Sequence, residues 1–408
     1  MNQLFRLVVV AQEFPYPPNH GGRADVWRRL RALKSLGASL ALVCWYEDGT
    51  CTPTESELAA VKAVVDTLVV IPKKGGAGRA LLRLCRIAMG TPSHAASRVL
   101  SHDGFLRVCG HLAAFNTNAV LLDSLYGGVF ASRLSKQLSV PMFYRSHNIE
   151  HKYFQGQAAA ATALRDRFAW RLACVYLHRF ERRMQQQAEI SFDISADDLR
   201  YWQSQGLSNG AWLPPLPEVA LDQSQTAATR VLPVRELAFL GNLYAPNNVR
   251  GLVWFVEKVM PIVWKARPQT IFTIAGAHPG EVVRQLSNQH AGVELVENVA
   301  DVPAFLAASR VLVNPVLTGS GVNVKSLDML MTERPIVSTP QGVAGLTPEI
   351  QALCKVASSP EQFALRVLET INDANIDAAQ RAACRKQFSL GAVAAMLESM
   401  CSKVNGNK

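Results

Sequence analysis

Residues 310–346 read RVLVNPVLTGSGVNVKSLDMLMTERPIVSTPQGVAGL, and the pattern of this segment predicts the fold class. An apolar run, RVLVNPV at 310–316, leads into a glycine-rich loop, a segment with helical spacing at 322–333 and a second apolar run, PIVSTP at 335–340. Short β-branched runs bounded by Gly and Pro predict buried strands, and a helix between two of them predicts a parallel pair. The stretch therefore predicts one strand–helix–strand unit of a doubly wound α/β sheet.

The same alternation continues on both sides of this unit. Further strands are predicted at 4–12, 38–45, 65–71, 118–124, 140–146, 190–196, 236–242, 269–276 and 292–298, and further helices at 24–37, 158–188, 248–267 and 302–309. A segment rich in Pro, Thr and Gln at 212–234 interrupts the pattern and indicates a domain crossing.

We therefore predict an α/β protein of two Rossmann-like doubly wound domains, residues 1–214 and 215–408, with the last helix able to pack back on the first domain. Two such domains that face each other place a central ligand cleft between the carboxyl ends of their sheets.

Composition agrees with an ordinary globular protein. The 408 residues are 49% hydrophobic and 18% charged, which excludes a disordered, collagen-like or coiled-coil chain. No run of about 18 apolar residues occurs in the sequence, and the first 19 residues lack the apolar core of a secretory signal. The eight cysteines contain no C-x-x-C motif, so we expect reduced thiols in a cytoplasmic protein.

Charge is distributed unevenly along the chain. Residues 1–214 hold 25 Lys and Arg against 16 Asp and Glu, whereas residues 215–408 hold 17 against 16. The basic stretches 79–90 and 165–183 contribute much of this excess at amphipathic spacing. They predict either a solvated helix face or a contact with an anionic membrane surface. Nucleic acid is disfavoured as a partner because no aromatic platform or zinc module accompanies the charge.

The loop Thr318-Gly319-Ser320-Gly321 carries the strongest chemical signal. Its glycines let a ligand approach the backbone, and the helix that follows offers free N–H groups, which suits a phosphate or diphosphate. Lys325 adds a cation, and Asp328 falls on the same helix face. The loop matches neither the Walker A motif nor G-x-G-x-x-G. A tight strand–helix turn with a surface ion pair is the alternative interpretation.

This segment resembles the donor site of the retaining glycosyltransferases of family 4, which have the GT-B fold. One branch of that family reads G-x-G-x-x-x-K-x-x-E followed by P-[IV]-V-[SA]-T, and here the matching residues are Gly319, Gly321, Lys325, Asp328 and the run 335–339. FPYPPNHGGR (14–23), YRSHNIEH (144–151), SADD (195–198) and FLGNLYAPNNVRGLVWF (239–255) are similar to the same branch, in family order.

The resemblance implies roles for particular residues. Gly21 and Gly22 face the sugar nucleotide and the acceptor, and His147 contacts the reacting sugar as the catalytic residue. Asp328 stands where the family has a glutamate that binds the nucleotide ribose. Ser320 replaces a glutamate that contacts the donor sugar in many members, which leaves the identity of the sugar open.

The diphosphate site departs from the family pattern. Where many members have Arg and Lys after the Phe-x-Gly strand, this chain has Asn242 after Gly241, then Asn247 and Asn248, with Arg250 as the only nearby cation. Negative charge on the leaving diphosphate must be stabilised, and Lys325, Arg250 and the loop amides are the candidates. Val322 and Asn323 complete the expected donor site. No D-x-D pair stands where a metal would bridge the phosphates, so we expect neither a metal nor another cofactor.

His147-Asn148-Ile149-Glu150-His151 also matches the H-x-x-E-H motif of zinc peptidases. That chemistry needs both histidines one helical turn apart, whereas His147 closes a predicted strand. The peptidase interpretation is therefore disfavoured.

The resemblance implies a retaining, metal-independent hexosyltransferase that uses a nucleotide-sugar donor and a lipid-linked or glycan acceptor. Bacterial exopolysaccharide, capsule or lipopolysaccharide assembly is the expected context, at the inner face of the cytoplasmic membrane. The alternatives are a sugar-nucleotide epimerase on the same fold and a non-catalytic relative that only binds the nucleotide sugar.

Overall fold

The computed structural model describes residues 5–19, 21–49, 51–73, 77–161, 163–218, 234–319 and 321–406. The chain forms two compact units, Met1–Pro214 with Leu390–Lys408, and Pro215–Ser389. The described residues of each unit form one parallel sheet flanked by helices, so the predicted α/β class is confirmed. Most of the predicted linker at 212–234 lies outside the described residues.

The described part of the first unit has a sheet of seven parallel strands in the order β3-β2-β1-β4-β5-β6-β7. Its strands are β1 (Arg6–Ala11), β2 (Ser39–Glu47), β3 (Thr67–Lys73), β4 (Ala119–Asp123), β5 (Met142–Ser146), β6 (Ser191–Asp193) and β7 (Gly210–Trp212). The central strands are apolar along their length because helices cover both faces, and Val8, Val43 and Val120 are fully buried.

Ten helices precede the end of this sheet within the described residues. They are α1 (Gly21–Ser35), α2 (Glu55–Lys62), α3 (Ala77–Ala88), α4 (Ser93–Ala96), α5 (His102–Leu112), α6 (Gly128–Leu138), α7 (Glu150–Ala160), α8 (Leu164–Cys174), α9 (Leu177–Gln187) and α10 (Ala196–Ser204).

The single helix predicted at 158–188 is wrong. The structure divides the region among α7, α8 and α9, with extended backbone at Ala161 and Val175 and a left-handed Tyr176 (φ 61°) at the breaks. No Pro or Gly marks either break. Tertiary packing supplies the reason, because α8 folds back so that Trp170 meets Phe154 at 5.1 Å between ring centroids.

The second unit repeats the architecture with six parallel strands, in the order β10-β9-β8-β11-β12-β13 over its described residues. The strands are β8 (Arg235–Leu240), β9 (Phe272–Gly276), β10 (Val293–Glu297), β11 (Ser309–Asn314), β12 (Ile336–Ser338) and β13 (Lys355–Val356). Its helices are α11 (Pro246–Trp254), α12 (Met260–Ala266), α13 (Glu281–Gln289), α14 (Val302–Ala307), α15 (Val324–Leu330), α16 (Pro348–Gln351), α17 (Pro360–Asn372) and α18 (Ala378–Gln387).

The helix predicted at 248–267 corresponds to α11 and α12, which are joined by a π-helical segment, Phe255–Val259. Pro261 follows this segment and has no N–H to donate, which accounts for the wider turn before it.

The final helix, α19 (Leu390–Gly406), belongs to the first unit and packs against α1. Val393, Met396, Met400 and Val404 are buried along one face, at helical spacing. All eight cysteines lie in described residues and are free. No described helix is long and apolar enough to cross a membrane.

Candidate functional site

Charged side chains of the first unit gather at the carboxyl ends of its central strands. β1 pairs with β2 on one side and with β4 on the other, so the strand order reverses beside β1. Such switch points are where doubly wound sheets bind ligands. Asp123 ends β4, and the register places it opposite Arg145 on β5. Both side chains are fully buried, with exposures of 1% and 0%.

Arg145 is the centre of this cluster. Its Nη1 atom lies 2.6 Å from Asp25 Oδ2 and 3.5 Å from Asp123 Oδ1. Asp25 comes from α1, the helix that follows β1, and Arg29 lies one helical turn further on the same face. Arg29 is also buried and donates from Nη2 to the carbonyl oxygen of Pro214 at 2.8 Å.

Two arginines and two aspartates therefore share one buried site. Burial disfavours the charged form of Asp25, but Arg145, His147 and Arg29 outweigh it and lower the pKa to about 2. Burial likewise opposes ionisation of Asp123, and Arg145 and His147 outweigh it, so this pKa also falls below its ordinary value. Burial, reinforced by Arg145, lowers the pKa of Arg29 to about 9. The cluster holds both carboxylates ionised at neutral pH.

His147 follows β5 and lies at the edge of this cluster. Its Nε2 atom is 2.6 Å from Asp123 Oδ1 and 3.9 Å from Asp25 Oδ2, and its side chain is 12% exposed. A carboxylate only accepts hydrogen bonds, so Nε2 is the protonated nitrogen of the ring and donates a hydrogen bond to Asp123. Nδ1 is then the acceptor of the ring. This Asp–His pair can receive a hydrogen bond from a substrate hydroxyl and share a developing positive charge.

The predicted glycines of the first unit lie close to this site. Gly21 begins α1, four residues before Asp25. Gly22 lines a small pocket at the end of β1 together with Ala11, Glu13 and Ser124.

His151 is not a partner of His147. Helix α7 begins at Glu150, so His147 lies outside it and the two histidines do not share a helix face. His151 Nδ1 instead lies 2.6 Å from Glu181 Oε2, and its Nε2 atom accepts from Tyr201 Oη at 3.3 Å. The H-x-x-E-H geometry of a zinc peptidase is absent at these residues.

The second unit has its own cluster at the corresponding place. β8 lies between β9 and β11, and the loops that follow β8 and β11 meet at this switch point. Asn248 donates from Nδ2 to the carbonyl oxygen of Asn242 at 2.7 Å, and Asn247 Oδ1 accepts from the N–H of Asn248 at 3.0 Å. These bonds fix the loop from Gly241 to the start of α11.

Lys325 reaches into this loop from α15. Its ammonium donates to Asn248 Oδ1 and lies 5.0 Å from the ring centroid of Phe239. Gly241 leaves room for the lysine stem, because a Cβ atom there would lie 2.8 Å from Lys325 Cδ. Burial lowers the pKa of Lys325 to about 7. The described residues provide no ion pair for Lys325, so an anion bound here would stabilise its charged form.

Apart from Arg250, the remaining predicted donor residues lie in the loop before α15 and on α15 itself. Gly319 accepts from Gln341 Nε2 at 3.0 Å, and Gly321 has a left-handed backbone (φ 69°) that suits glycine. Val322 and Asn323 are partly exposed and precede α15, which begins at Val324. Asp328 lies on α15, one turn beyond Lys325. Ser320 lies outside the described residues.

Arg250 does not join Lys325 in the described contacts. It is exposed on α11 and donates from Nε to the carbonyl oxygen of Pro246 at 3.2 Å.

Sequence reasoning missed four residues of these clusters: Asp25, Arg29, Asp123 and Arg145. Charged residues that end apolar strands, as in NAVLLDS and VPMFYRS, are the signal that could have identified Asp123 and Arg145. Asp25 and Arg29 occupy buried positions of α1, where an apolar residue is the usual choice.

Comparison with known proteins supports this architecture. Residues 234–373 match the family model described as glycosyl transferases group 1. A relative from Klebsiella pneumoniae, "Uncharacterized 44.6 kDa protein in cps region", is 23% identical over 371 residues, which are 89% of this chain and 90% of that protein.

Two solved structures illustrate the likeness of fold. Anabaena Alr3699/HepE, in complex with UDP and glucose, matches with a TM-score of 0.59 at 11% identity, over 97% of this chain and 99% of that chain. Sucrose-phosphate synthase from Thermosynechococcus elongatus matches with a TM-score of 0.63 at 12% identity, over 99% and 100%. The fold is GT-B, with two Rossmann-like domains. With the family match, it supports a glycosyltransferase.

Proposed function

We propose that this chain is a retaining hexosyltransferase that moves a sugar from a nucleotide-sugar donor to a lipid-linked or glycan acceptor. The observation that carries the proposal is the Lys325 cluster, a half-buried lysine that contacts Asn248 and Phe239 beside a glycine-rich loop, at the switch point of the second unit. A partly desolvated lysine without a carboxylate partner among the described residues suits the diphosphate of a nucleotide sugar.

Relatives support the donor class and the biological context. The Anabaena neighbour was solved with UDP and glucose, which supports a nucleotide-sugar donor. The Klebsiella pneumoniae relative is described as lying in a cps region, which supports bacterial cell-surface polysaccharide assembly.

The proposed reaction retains configuration at the anomeric carbon. The bond from this carbon to the diphosphate oxygen breaks, and a bond to the acceptor oxygen forms on the same face. The acceptor proton passes to the leaving diphosphate, whose charge Lys325 and the loop amides stabilise. His147 contacts the reacting sugar through Nδ1, while Asp123 holds its ring. Because Lys325 supplies positive charge at the diphosphate, we propose that no metal is required.

A panel of labelled UDP-, GDP- and dTDP-sugars tests the proposal. Hydrolysis of one donor, or transfer to an acceptor, supports the transferase. Isomerisation of the sugar without hydrolysis or transfer would instead indicate an epimerase, and tight binding without turnover a non-catalytic relative.

Two further measurements test whether the anomeric configuration is retained and whether a metal is required. Proton NMR of the product, compared with the donor, reports whether the anomeric configuration is retained. Turnover measured with and without excess EDTA reports whether a metal is needed, and an unchanged rate is expected.

A further inference from the structure

Helix α3 is amphipathic. Arg83 and Arg86 bond to the protein and its leucines face solvent, which is the reverse of an ordinary surface helix. At 100° per residue Arg83 and Arg86 share one face, and Leu81 and Leu84 occupy the other. Hydrogen bonds tie the arginine face to the protein, although Arg83 stays exposed and Arg86 is only half-buried. Arg83 Nε donates to the carbonyl oxygen of Ser93 at 3.2 Å, and Arg86 Nη1 donates to those of Ala96 and Val99 at 3.1 and 2.9 Å.

The apolar face of α3 is left in solvent. Leu81 is 63% exposed and Leu84 61%, and Met89, just after the helix, is 77% exposed. A helix that packs through its cations and exposes its leucines leaves its main source of burial energy unused. We therefore expect the apolar face of α3 to be covered by a binding partner.

Helix α8 presents a second exposed apolar stripe. Leu164, Phe168 and Leu172 recur every four residues and are 78%, 69% and 47% exposed. The opposite face packs into the core through Trp170 and Ala173.

The two stripes belong to one region of the first unit. Helix α4 packs against both α3 and α8. Leu82 on α3, and Val175 and Tyr176 just after α8, are exposed as well. The other large hydrophobic side chains exposed among the described residues, such as Leu106 and Leu365, are scattered over other elements.

Charge decides which partner fits. Residues 164–176 contain three arginines and only Asp166 as an acid, and residues 77–90 contain no acidic residue. Arg165 and Arg171 are exposed beside the α8 stripe. A second copy docked by two-fold symmetry would set these like charges against themselves. An anionic lipid surface supplies both apolar depth and negative headgroups.

We propose that α3 and α8 form a lipid-docking surface, whose leucines and Phe168 enter the interface of an anionic bilayer while Arg165 and Arg171 contact its headgroups. Arg83 and Arg86, two of the three arginines in the basic stretch 79–90, hold α3 to the protein. The side chain of Arg79 lies outside those described. The proposal does not depend on which donor the protein uses.

Co-sedimentation of the full-length chain with phosphatidylcholine vesicles, with and without phosphatidylglycerol, tests this surface. The paired variants Leu81→Ser/Leu84→Ser and Phe168→Ser/Leu172→Ser should each lower the partition coefficient on phosphatidylglycerol vesicles about tenfold or more, since binding scales with the apolar area inserted. Leu106→Ser and Leu365→Ser are the matched controls, at 46% and 55% exposure, and should bind as the wild type does. Arg165→Gln/Arg171→Gln should reduce the preference for phosphatidylglycerol.

Melting temperature and UDP titration verify that each variant is folded. If a paired variant melts early, the single variants Met89→Ser and Leu164→Ser replace it. Wild-type protein that does not bind phosphatidylglycerol vesicles, or stripe variants that bind as the wild type does, would overturn the proposal. Self-association without lipid that the same variants abolish would assign the surface to a second copy and also overturn it.

Discussion

The Nε2 atom of His147 lies 2.6 Å from Asp123 Oδ1, on the neighbouring strand of the first sheet. This contact sets the tautomer of the ring, because the carboxylate accepts the Nε2 proton and leaves Nδ1 as the acceptor. Arg145 in turn holds Asp123 in its ionised form. Two buried residues, Asp123 and Arg145, therefore determine which ring nitrogen of His147 can accept a hydrogen bond.

Asp123→Asn should lower kcat about 10- to 1,000-fold with a smaller change in KM, because the ring of His147 loses its fixed tautomer. Nitrogen NMR of the imidazole distinguishes positioning from simple destabilisation. The wild type should show an Nε2–H signal, and the variant a mixture of tautomers. An unchanged tautomer and unchanged kcat would remove Asp123 from the catalytic arrangement.

His147→Ala should abolish most turnover while the melting temperature stays close to that of the wild type. The side chain lies at the edge of the cluster, so its removal leaves the ion pair of Asp25 and Arg145 in place. His111→Ala, on the exposed face of α5, is the control and should retain full activity. A large drop in melting temperature would indicate a structural histidine instead.

Asp25→Asn should destabilise the protein by about 3–5 kcal/mol at pH 7, because it leaves Arg145 and Arg29 buried with one carboxylate fewer. The folded-state pKa of Asp25 is lowered to about 2, so its contribution is present above about pH 4 and is lost as the pH falls towards 2. Urea unfolding at several pH values should show the difference from the wild type shrinking over that range. Asp103→Asn, exposed on α5, should show little difference at any pH.

Lys325→Ala should weaken nucleotide-sugar binding and lower kcat/KM about 10- to 1,000-fold, since it removes the cation at the proposed diphosphate site. Lys265→Ala, exposed at the end of α12, is the matched control. Full activity in Lys325→Ala would show that the diphosphate is neutralised elsewhere, and Arg250→Ala would be the next variant to measure.

Binding of UDP at pH 8 should take up a proton. Burial lowers the pKa of Lys325 to about 7, so the free protein holds it mostly neutral at pH 8. A bound diphosphate raises that pKa and draws a proton from the buffer. Calorimetric titration in two buffers of different ionisation enthalpy measures this uptake, which Lys325→Ala should abolish. Equal uptake by the wild type and the variant would place the titrating group elsewhere.

The α/β class and the closeness of Lys325 to a glycine-rich loop could be predicted from the amino-acid sequence alone. Apolar runs bounded by Gly and Pro are local signals, so the strands ending before His147 and before Gly319 could be predicted from a few residues each. The glycine-rich loop and Lys325 are likewise close in sequence, and their association needs no knowledge of the fold.

Which buried charges meet could not be predicted without the folded chain. Asp25, Asp123 and Arg145 are far apart in sequence, and strand order and register bring them together. The helix breaks at Ala161 and Tyr176 could not be predicted from the sequence either. The spacing of residues in α3 shows an apolar face and an arginine face, but it does not show which of them contacts the protein. The spacing of residues along the chain determines which of them share a face of a helix or strand. The element that packs against that face is distant in sequence, and it comes into contact only when the chain folds.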